Sequence, residues 1–193
     1  MPRQLRIEYA GAVYHVLARG NRREDIVLDD DDREMFIATL AEVCKKTGWQ
    51  VLAWGLMDNH YHWLIRTPEP NLVEGMKWFQ NTYTRRFNAR HRAWGHLFGG
   101  RYKAIDDGAG DYLKTLMDYI HLNPVRARMV DVRKGMGLLA FRWSSLAQGY
   151  GMAPGRKRGK WMAVEDGLRV YDLKDTVAGR RSFTERLEQR ARA

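Results

Sequence analysis

The sequence is poor in cysteine and in long apolar runs. Cys44 stands alone among 193 residues, so no internal disulfide forms, as is typical of proteins from a reducing compartment. No apolar run approaches the roughly 18 residues of a membrane helix. The first six residues lack the apolar region of a signal peptide. We therefore expect a cytoplasmic protein with no membrane partner.

Acidic residues are also in short supply. The 23 Asp and Glu residues face 33 Lys and Arg residues, which gives a net charge of +10 and a pI near 9.9. A surplus of this size suggests a polyanionic partner, either nucleic acid or an anionic membrane surface. The length is sufficient for one domain with a sizeable core and appendages.

The positive charge is concentrated between residues 71 and 103, where Glu74 is the one acid. Cations interleaved with rings suit single-stranded nucleic acid, because cations follow phosphates while rings stack on unpaired bases. The alternative is an amphipathic helix that buries its rings in the core, and the sequence leaves both interpretations open. The residues concerned are Lys77, Trp78, Phe79, Tyr83, Arg85, Arg86, Phe87, Arg90, Arg92, Trp94, Phe98, Arg101, Tyr102 and Lys103.

Hydrophobic periodicity predicts the element order β-α-β-β-α-β-α. The strands are expected at 12–19, 49–56, 60–66 and 101–105, and the helices at 31–48, 72–90 and 111–123. Asp31 and Glu34 would cap the first helix, and Pro124 should end the third helix at Asn123. We expect residues 1–151 to form one domain, followed by a basic extension over 152–193 that is partly helical or flexible. A capping-box pattern at 182–185 would start its terminal helix.

Two histidines stand one residue apart in the third predicted strand. Side chains alternate faces along a strand, so His60 and His62 should project from the same face. Two neighbouring imidazoles can supply two ligands of a metal site. Paired histidines in ordinary polar contacts are the alternative that this pattern leaves open.

The last predicted helix carries a second polar pair. Tyr119 and Asn123 are four residues apart and therefore share a helix face, on the flank of the apolar stripe. A rigid element could thus present a phenol and a carboxamide together. The alternative is a tyrosine packed at the boundary of the core and an asparagine that caps the helix.

Several segments together resemble one known family. The H-x-H segment at 60–62 resembles the HUH motif of single-strand DNA nucleases. Residues 119–126 resemble the catalytic-helix block of the REP-associated tyrosine transposases, which are relatives of the single-tyrosine IS200/IS605 transposases. Segments 57–60, 95–103 and 143–145 are also similar to blocks of this family, so the resemblance extends from about Tyr9 to about Gly151.

The resemblance implies a fold and a set of site residues. The fold is α+β, with a ferredoxin-like core in which helices pack on an antiparallel sheet. His60 and His62 would bind a divalent metal, Mg²⁺ or Mn²⁺, and Tyr119 would be the nucleophile. Asn123 would be the third ligand, although IS200-type relatives generally have the longer glutamine there.

The resemblance also implies an activity. The chain would cleave and rejoin single-stranded DNA at REP-type palindromic hairpins through a 5′-phosphotyrosine, as a bacterial, nucleoid-associated protein, and as a monomer rather than a dimer. The alternatives are a noncatalytic nucleic-acid-binding protein that uses the basic aromatic segment, and a metal-dependent nuclease that activates water. The expected DNA contacts are Arg22, Arg23, Arg85, Arg86, Arg101, Lys103 and Arg126.

Overall fold

The computed structural model describes residues 7–106, 111–151 and 158–193. Within these residues, four strands form one antiparallel sheet in the order β2-β3-β1-β4. This order and the helices packed on the sheet confirm the predicted ferredoxin-like α+β fold. The elements are β1 (Ala12–Arg19), α1 (Asp30–Thr47), β2 (Gln50–Leu56), β3 (His60–Thr67), α2 (Leu72–His91), β4 (Lys103–Asp106), α3 (Asp111–Arg126), α4 (Val164–Arg169) and α5 (Val177–Arg192).

One face of the sheet packs against α1 and α2 through aromatic side chains. The Phe79 ring of α2 lies 4.6 Å from that of Trp63 and 5.1 Å from that of Phe36 on α1, centroid to centroid. Most rings of the basic aromatic segment therefore belong to the core, because apolar area is stabilising when it is removed from water. Trp94 is the exception, with 91% of its surface exposed.

The opposite face of the sheet supports α3, which packs across β2 and β3. The side chains on this face include those of His15 and Leu17 from β1 and of His60 and His62 from β3, as the antiparallel register requires. This second layer brings the helix with Tyr119 onto the strand with the two histidines.

Three helix boundaries differ from the sequence prediction. The N-cap of α1 is Asp29, which accepts a hydrogen bond from the Asp32 amide at 2.9 Å, and not Asp31. Because the Asp32 carboxylate is buried and accepts the Leu28 amide at 2.8 Å, the helix starts before Asp31. Similarly, α5 begins after Thr176 and not at 182–185, since the Thr176 hydroxyl accepts the amide of Gly179.

The third difference concerns Pro124, which lies inside α3 and does not end it. Proline removes only one backbone donor, and this loss falls in the last turn of the helix. The amide of Ala127 donates to the Asn123 carbonyl oxygen at 2.8 Å, so the turn continues. Asn123 is therefore an internal helical residue and does not act as a terminal cap.

Residues 158–193 pack against the core. Val51 of β2 bonds to this segment through its amide and its carbonyl oxygen, each at 2.9 Å, and Phe183 and Leu187 of α5 have no exposed surface. The buried Asp118 on α3 accepts hydrogen bonds from Arg186 at 2.9 Å and from Arg190. Residues 152–157 of the expected extension lie outside the described residues, and the boundary at residue 151 stays a prediction.

The single cysteine lies in the core. Cys44 is 3% exposed, and burial raises the pKa of its thiol, as expected of a small buried side chain. No helix in the described part of the chain is both long and apolar enough to cross a membrane.

Replacing Phe183 with alanine tests the packing of α5. Its ring lies 4.8 Å from that of Tyr150 and 5.6 Å from that of His121, so Phe183→Ala should lower the free energy of unfolding by about 3–5 kcal/mol. Val177→Ala on the same helix is the control, because Val177 is 68% exposed and should change stability little. Equal stability of the two variants in chemical denaturation would contradict the docking of α5.

Candidate functional site

The two histidines of β3 lie side by side beneath α3, with their ring centroids 5.2 Å apart. His62 is 6% exposed, and His60 is half-buried at the start of the strand. Burial lowers the pKa of both rings, that of His62 to about 3. Both imidazoles are therefore neutral at pH 7, the form in which histidine binds a metal ion.

The tautomer of His60 is determined by Asn59. The Nδ1 of His60 lies 2.7 Å from the Asn59 side-chain oxygen, so Nδ1 carries the proton and donates it. The amide nitrogen of Asn59 in turn donates to the Arg23 carbonyl oxygen at 3.2 Å, which orients the amide. This arrangement leaves the Nε2 lone pair of His60 available for a cation or a proton donor.

His62 has a comparable partner in His15, a residue that the sequence did not single out. The Nδ1 of His62 lies 2.9 Å from Nε2 of His15, and burial lowers the pKa of His15 to about 4. One ring donates and the other accepts. When His62 donates, its Nε2 lone pair is free, as in His60. The sequence signal for His15 was its place in the strand predicted at 12–19, but only the pairing with β3 brings the two rings together.

Tyr119 and Asn123 reach the histidines from above. The Tyr119 ring stands edge-on to that of His62, with the centroids 5.4 Å apart, and the Arg126 guanidinium lies 4.7 Å from the centre of the Tyr119 ring. One turn further along α3, the buried carboxamide of Asn123 approaches His60, where it acts against the larger effect of burial and raises the pKa of that ring. The helix face predicted from the spacing therefore meets the histidine pair.

These contacts define the donors that could hold a cation. No cluster of three or more His, Cys, Asp and Glu side chains with metal-binding geometry occurs among the described residues. The side chains here that could hold a metal ion are the two neutral imidazoles and the Asn123 carboxamide. This set of nitrogen and oxygen donors suits Mn²⁺ and, with added water or phosphate oxygens, Mg²⁺.

The four side chains line an open cavity of about 730 Å³. Of the seven cations predicted to contact DNA, five line it, whereas Arg85 lines a neighbouring cavity. Arg86 is directed elsewhere, to the Glu42 carboxylate at 2.8 Å. Arg19 was not predicted, although it ends β1 opposite His60. The cations that line the cavity are Arg19, Arg22, Arg23, Arg101, Lys103 and Arg126.

The basic turn at the rim of this cavity has an unusual backbone. Arg22 and Arg23 have φ values of 53° and 65°, a left-handed conformation that costs non-glycine residues of order 1 kcal/mol each. Gly20 begins the turn, where a Cβ atom would lie 2.0 Å from the Glu24 carbonyl oxygen. The turn is anchored by the amide of Gly20, which donates to the Asn59 carbonyl oxygen at 2.9 Å. The rest of the structure thus holds two arginines in place at the rim.

A known protein family shares the sequence pattern of this chain. A family model described as "Transposase IS200 like" matches residues 8–123, which is more than half of the chain and extends from β1 to Asn123. The chain belongs to the IS200-like transposase family. Membership makes it a transposase-type DNA-binding protein. A search of curated proteins gave no match to this IS200-like transposase.

Two solved structures resemble this IS200-like transposase. One is a REP-associated tyrosine transposase bound to a REP hairpin, with a TM-score of 0.64, 16% identity, and coverage of 83% of this chain and 91% of that chain. The other is a candidate transposase from Deinococcus radiodurans R1, with a TM-score of 0.44, 16% identity, and coverage of 59% and 91%. The first of these two structures has the same fold as this chain.

The bond from His60 to Asn59 predicts one imidazole tautomer. In a long-range proton–nitrogen correlation spectrum, neutral His60 should carry its proton on Nδ1. Asn59→Ala should move this proton towards Nε2, because no other acceptor in the described part of the chain is bonded to Nδ1. Asn21→Ala, which removes another amide from the cavity rim, should leave the tautomer unchanged. An Nε2-protonated ring in the unsubstituted protein would contradict the geometry.

Proposed function

We propose that the chain is a metal-dependent single-stranded DNA endonuclease and strand transferase. It would cleave and rejoin DNA at REP-type hairpins through a 5′-phosphotyrosine on Tyr119. The observation that carries the proposal is the meeting of α3 with β3, where Tyr119 stands against His62 and Asn123 against His60. The hairpin substrate is inferred from the relative of the same fold that was solved with a REP hairpin.

In this mechanism His60, His62 and Asn123 would hold Mg²⁺ or Mn²⁺. The bound cation supplies positive charge that offsets the negative charge developing on the scissile phosphate. All three protein ligands are neutral, so they leave that charge undiminished. Asn59 and His15 support the two histidines by bonding to their Nδ1 atoms, as partners of ligand histidines commonly do.

Tyr119 performs the covalent step. Its phenolic oxygen attacks phosphorus, the new bond to phosphorus forms, and the bond to the 3′ oxygen breaks. The phenol proton goes to solvent, and the leaving oxygen takes up a proton to become a free 3′-OH. Because the phosphotyrosine keeps the bond energy, attack by a 3′-OH rejoins the strand without ATP. The Arg126 guanidinium, 4.7 Å from the centre of the Tyr119 ring, would help to hold the ring in position through a cation–π contact.

The cations around the cavity would hold the DNA backbone. Arg19, Arg101 and Lys103 have no carboxylate partner among the described residues, and neither have the rim residues Arg22 and Arg23. Their charge is therefore available to phosphates, which fix the position of the strand without reading its sequence. We expect the protein to act as a monomer, since the candidate site is assembled from one chain.

Substitution of Tyr119 tests the nucleophile. With a labelled hairpin strand and Mn²⁺ or Mg²⁺, the unsubstituted protein should form a covalent adduct that Tyr119→Phe and EDTA both abolish. Tyr112→Phe is the matched control, because Tyr112 lies two turns earlier on α3 and is 58% exposed. Adduct formation by Tyr119→Phe would refute the assignment. Release of a 5′-phosphate without any adduct would instead identify a nuclease that activates water.

Substitution of His15 tests how His62 is positioned. His15→Leu removes the acceptor for His62 Nδ1 and should weaken Mn²⁺ binding to the DNA-free protein by about tenfold or more. His15→Gln should restore most of the affinity, because its side-chain oxygen can accept the same hydrogen bond. The measurement is free Mn²⁺ by electron paramagnetic resonance, with thermal unfolding as the control for folding. Unchanged affinity in His15→Leu would exclude the positioning role.

A further inference from the structure

The segment at 143–145 closes the outer edge of β2, the strand at one end of the sheet. The amide of Leu56 donates to the Trp143 carbonyl oxygen at 2.9 Å. Two residues earlier, the Trp54 amide donates to the Ser145 hydroxyl at 2.9 Å, and that hydroxyl donates to the Trp54 carbonyl oxygen at 3.2 Å. The Ser145 side chain thus takes the place of a neighbouring strand at Trp54.

The Ser145 hydroxyl also reaches α3, through His121. Its oxygen lies 2.7 Å from Nε2 of His121, and both residues are 2% exposed. Nδ1 of His121 is buried and bonds to no group within the described ranges. A proton on Nδ1 would be a buried donor without an acceptor, which is costly, so the proton lies on Nε2 and is donated to Ser145. The hydroxyl then donates once and accepts twice, which uses its full capacity.

Aromatic rings enclose the remainder of the His121 imidazole. The ring centroids of Tyr150 and Phe183 lie 5.2 Å and 5.6 Å from its own. The Tyr150 hydroxyl is occupied elsewhere, because it donates to the Leu52 carbonyl oxygen at 2.6 Å. In the described part of the chain, Ser145 is therefore the one group that forms a hydrogen bond with the His121 ring.

His121 lies on the flank of α3 away from the candidate site. At about 100° per residue it is about 200° round the helix from Tyr119, with the buried side chains of Met117 and Ile120 between them. Apolar packing of this stripe on the sheet is non-directional and so permits the helix to roll about its axis. A hydrogen bond is directional, and one at the flank opposes that roll. A roll would displace Tyr119 and Asn123, on the other flank, from the histidines.

We propose that Ser145 and His121 form a positioning pair for the nucleophile Tyr119. Their hydrogen bond holds α3 at the rotation in which the Tyr119 ring stands 5.4 Å from that of His62, centroid to centroid. The pair touches neither DNA nor metal and acts through the helix. The inference rests on the proposed function, since it takes Tyr119 as the attacking group. A displacement of about 1 Å at a reacting group costs about a hundredfold in rate, so a small roll of α3 is sufficient to impair attack.

Single-turnover adduct formation tests the pair. With saturating hairpin strand and Mn²⁺, Ser145→Ala should lower the rate constant about tenfold to a hundredfold. Hairpin affinity should change little, because all the cavity cations except Arg126 lie outside α3. Ser144→Ala is the matched control and should leave the rate constant unchanged. Ser144 is also 2% exposed, but its hydroxyl bonds within its own turn, to the Phe141 carbonyl oxygen and the Ala147 amide, each at 3.3 Å.

Substitution of His121 separates positioning from stability. His121→Leu removes the donor and should lower the rate constant as Ser145→Ala does. His121→Gln retains an amide N–H that can reach Ser145, so it should restore most of the rate. All rates are measured well below the unfolding temperature of each variant, and the two His121 variants decide the test if Ser145→Ala does not fold. An unchanged rate constant in His121→Leu, or an equal loss in Ser144→Ala and Ser145→Ala, would overturn the proposal.

A measurement without DNA distinguishes failure of the pair from failure of the catalytic proposal. The Tyr119 ring stands edge-on to that of His62, so its ring current shifts the ring-proton resonances of His62. Ser145→Ala should move these resonances in the DNA-free protein, and it should no longer do so in a Tyr119→Leu background. Unmoved resonances would refute the positioning of α3. Moved resonances, with no adduct from the unsubstituted protein, would refute the catalytic proposal and retain the positioning.

Discussion

The antiparallel pairing of β1 with β3 is the constraint on which the candidate site depends. This register sets Leu17 opposite His62 and Arg19 opposite His60, and it places His15 within hydrogen-bonding distance of His62. Because side chains alternate along a strand, a slip of one residue would turn the histidines towards the aromatic core. The burial of Tyr61 and Trp63 on that core side therefore fixes the side on which His60 and His62 are presented.

Local periodicity predicted which side chains share a face, and the family resemblance singled them out as a candidate site. Alternation along a strand was enough to place His60 and His62 on one face, and helical spacing was enough to pair Tyr119 with Asn123. The sequence could not supply contacts that depend on the packing of distant elements. His15 acquires its role only through strand register, and Asn59 acts on His60 only because the turn at Arg23 offers a carbonyl oxygen. The same limit explains why the sequence analysis placed the N-cap of α1 at the wrong residue. The burial of Asp32, which depends on tertiary packing, determines where this helix starts.

The arginines illustrate the same limit for electrostatics. Arg85 and Arg86 are neighbours with the same chemistry, and composition assigns both to a DNA-binding surface. A rotation of about 100° per residue directs Arg86 towards Glu42 of α1 and leaves Arg85 lining the cavity next to the candidate site. A count of positive charges therefore overstates the charge available to DNA. The charge available to DNA comes from those cations that form no ion pair with a carboxylate in the folded protein.

The bond between Asp118 and α5 has a practical consequence for work on this domain. Asp118 precedes Tyr119 on α3, is 1% exposed, and has Arg186, Arg190 and Tyr171 as its partners. A shortened version that ends before α5 would remove both arginines that pair with Asp118 and would expose the apolar surface that Phe183 and Leu187 cover, at a cost in stability. The loss of stability would affect α3, the helix that carries Tyr119. A shortened protein could therefore lose activity although its sequence kept every residue that lines the cavity.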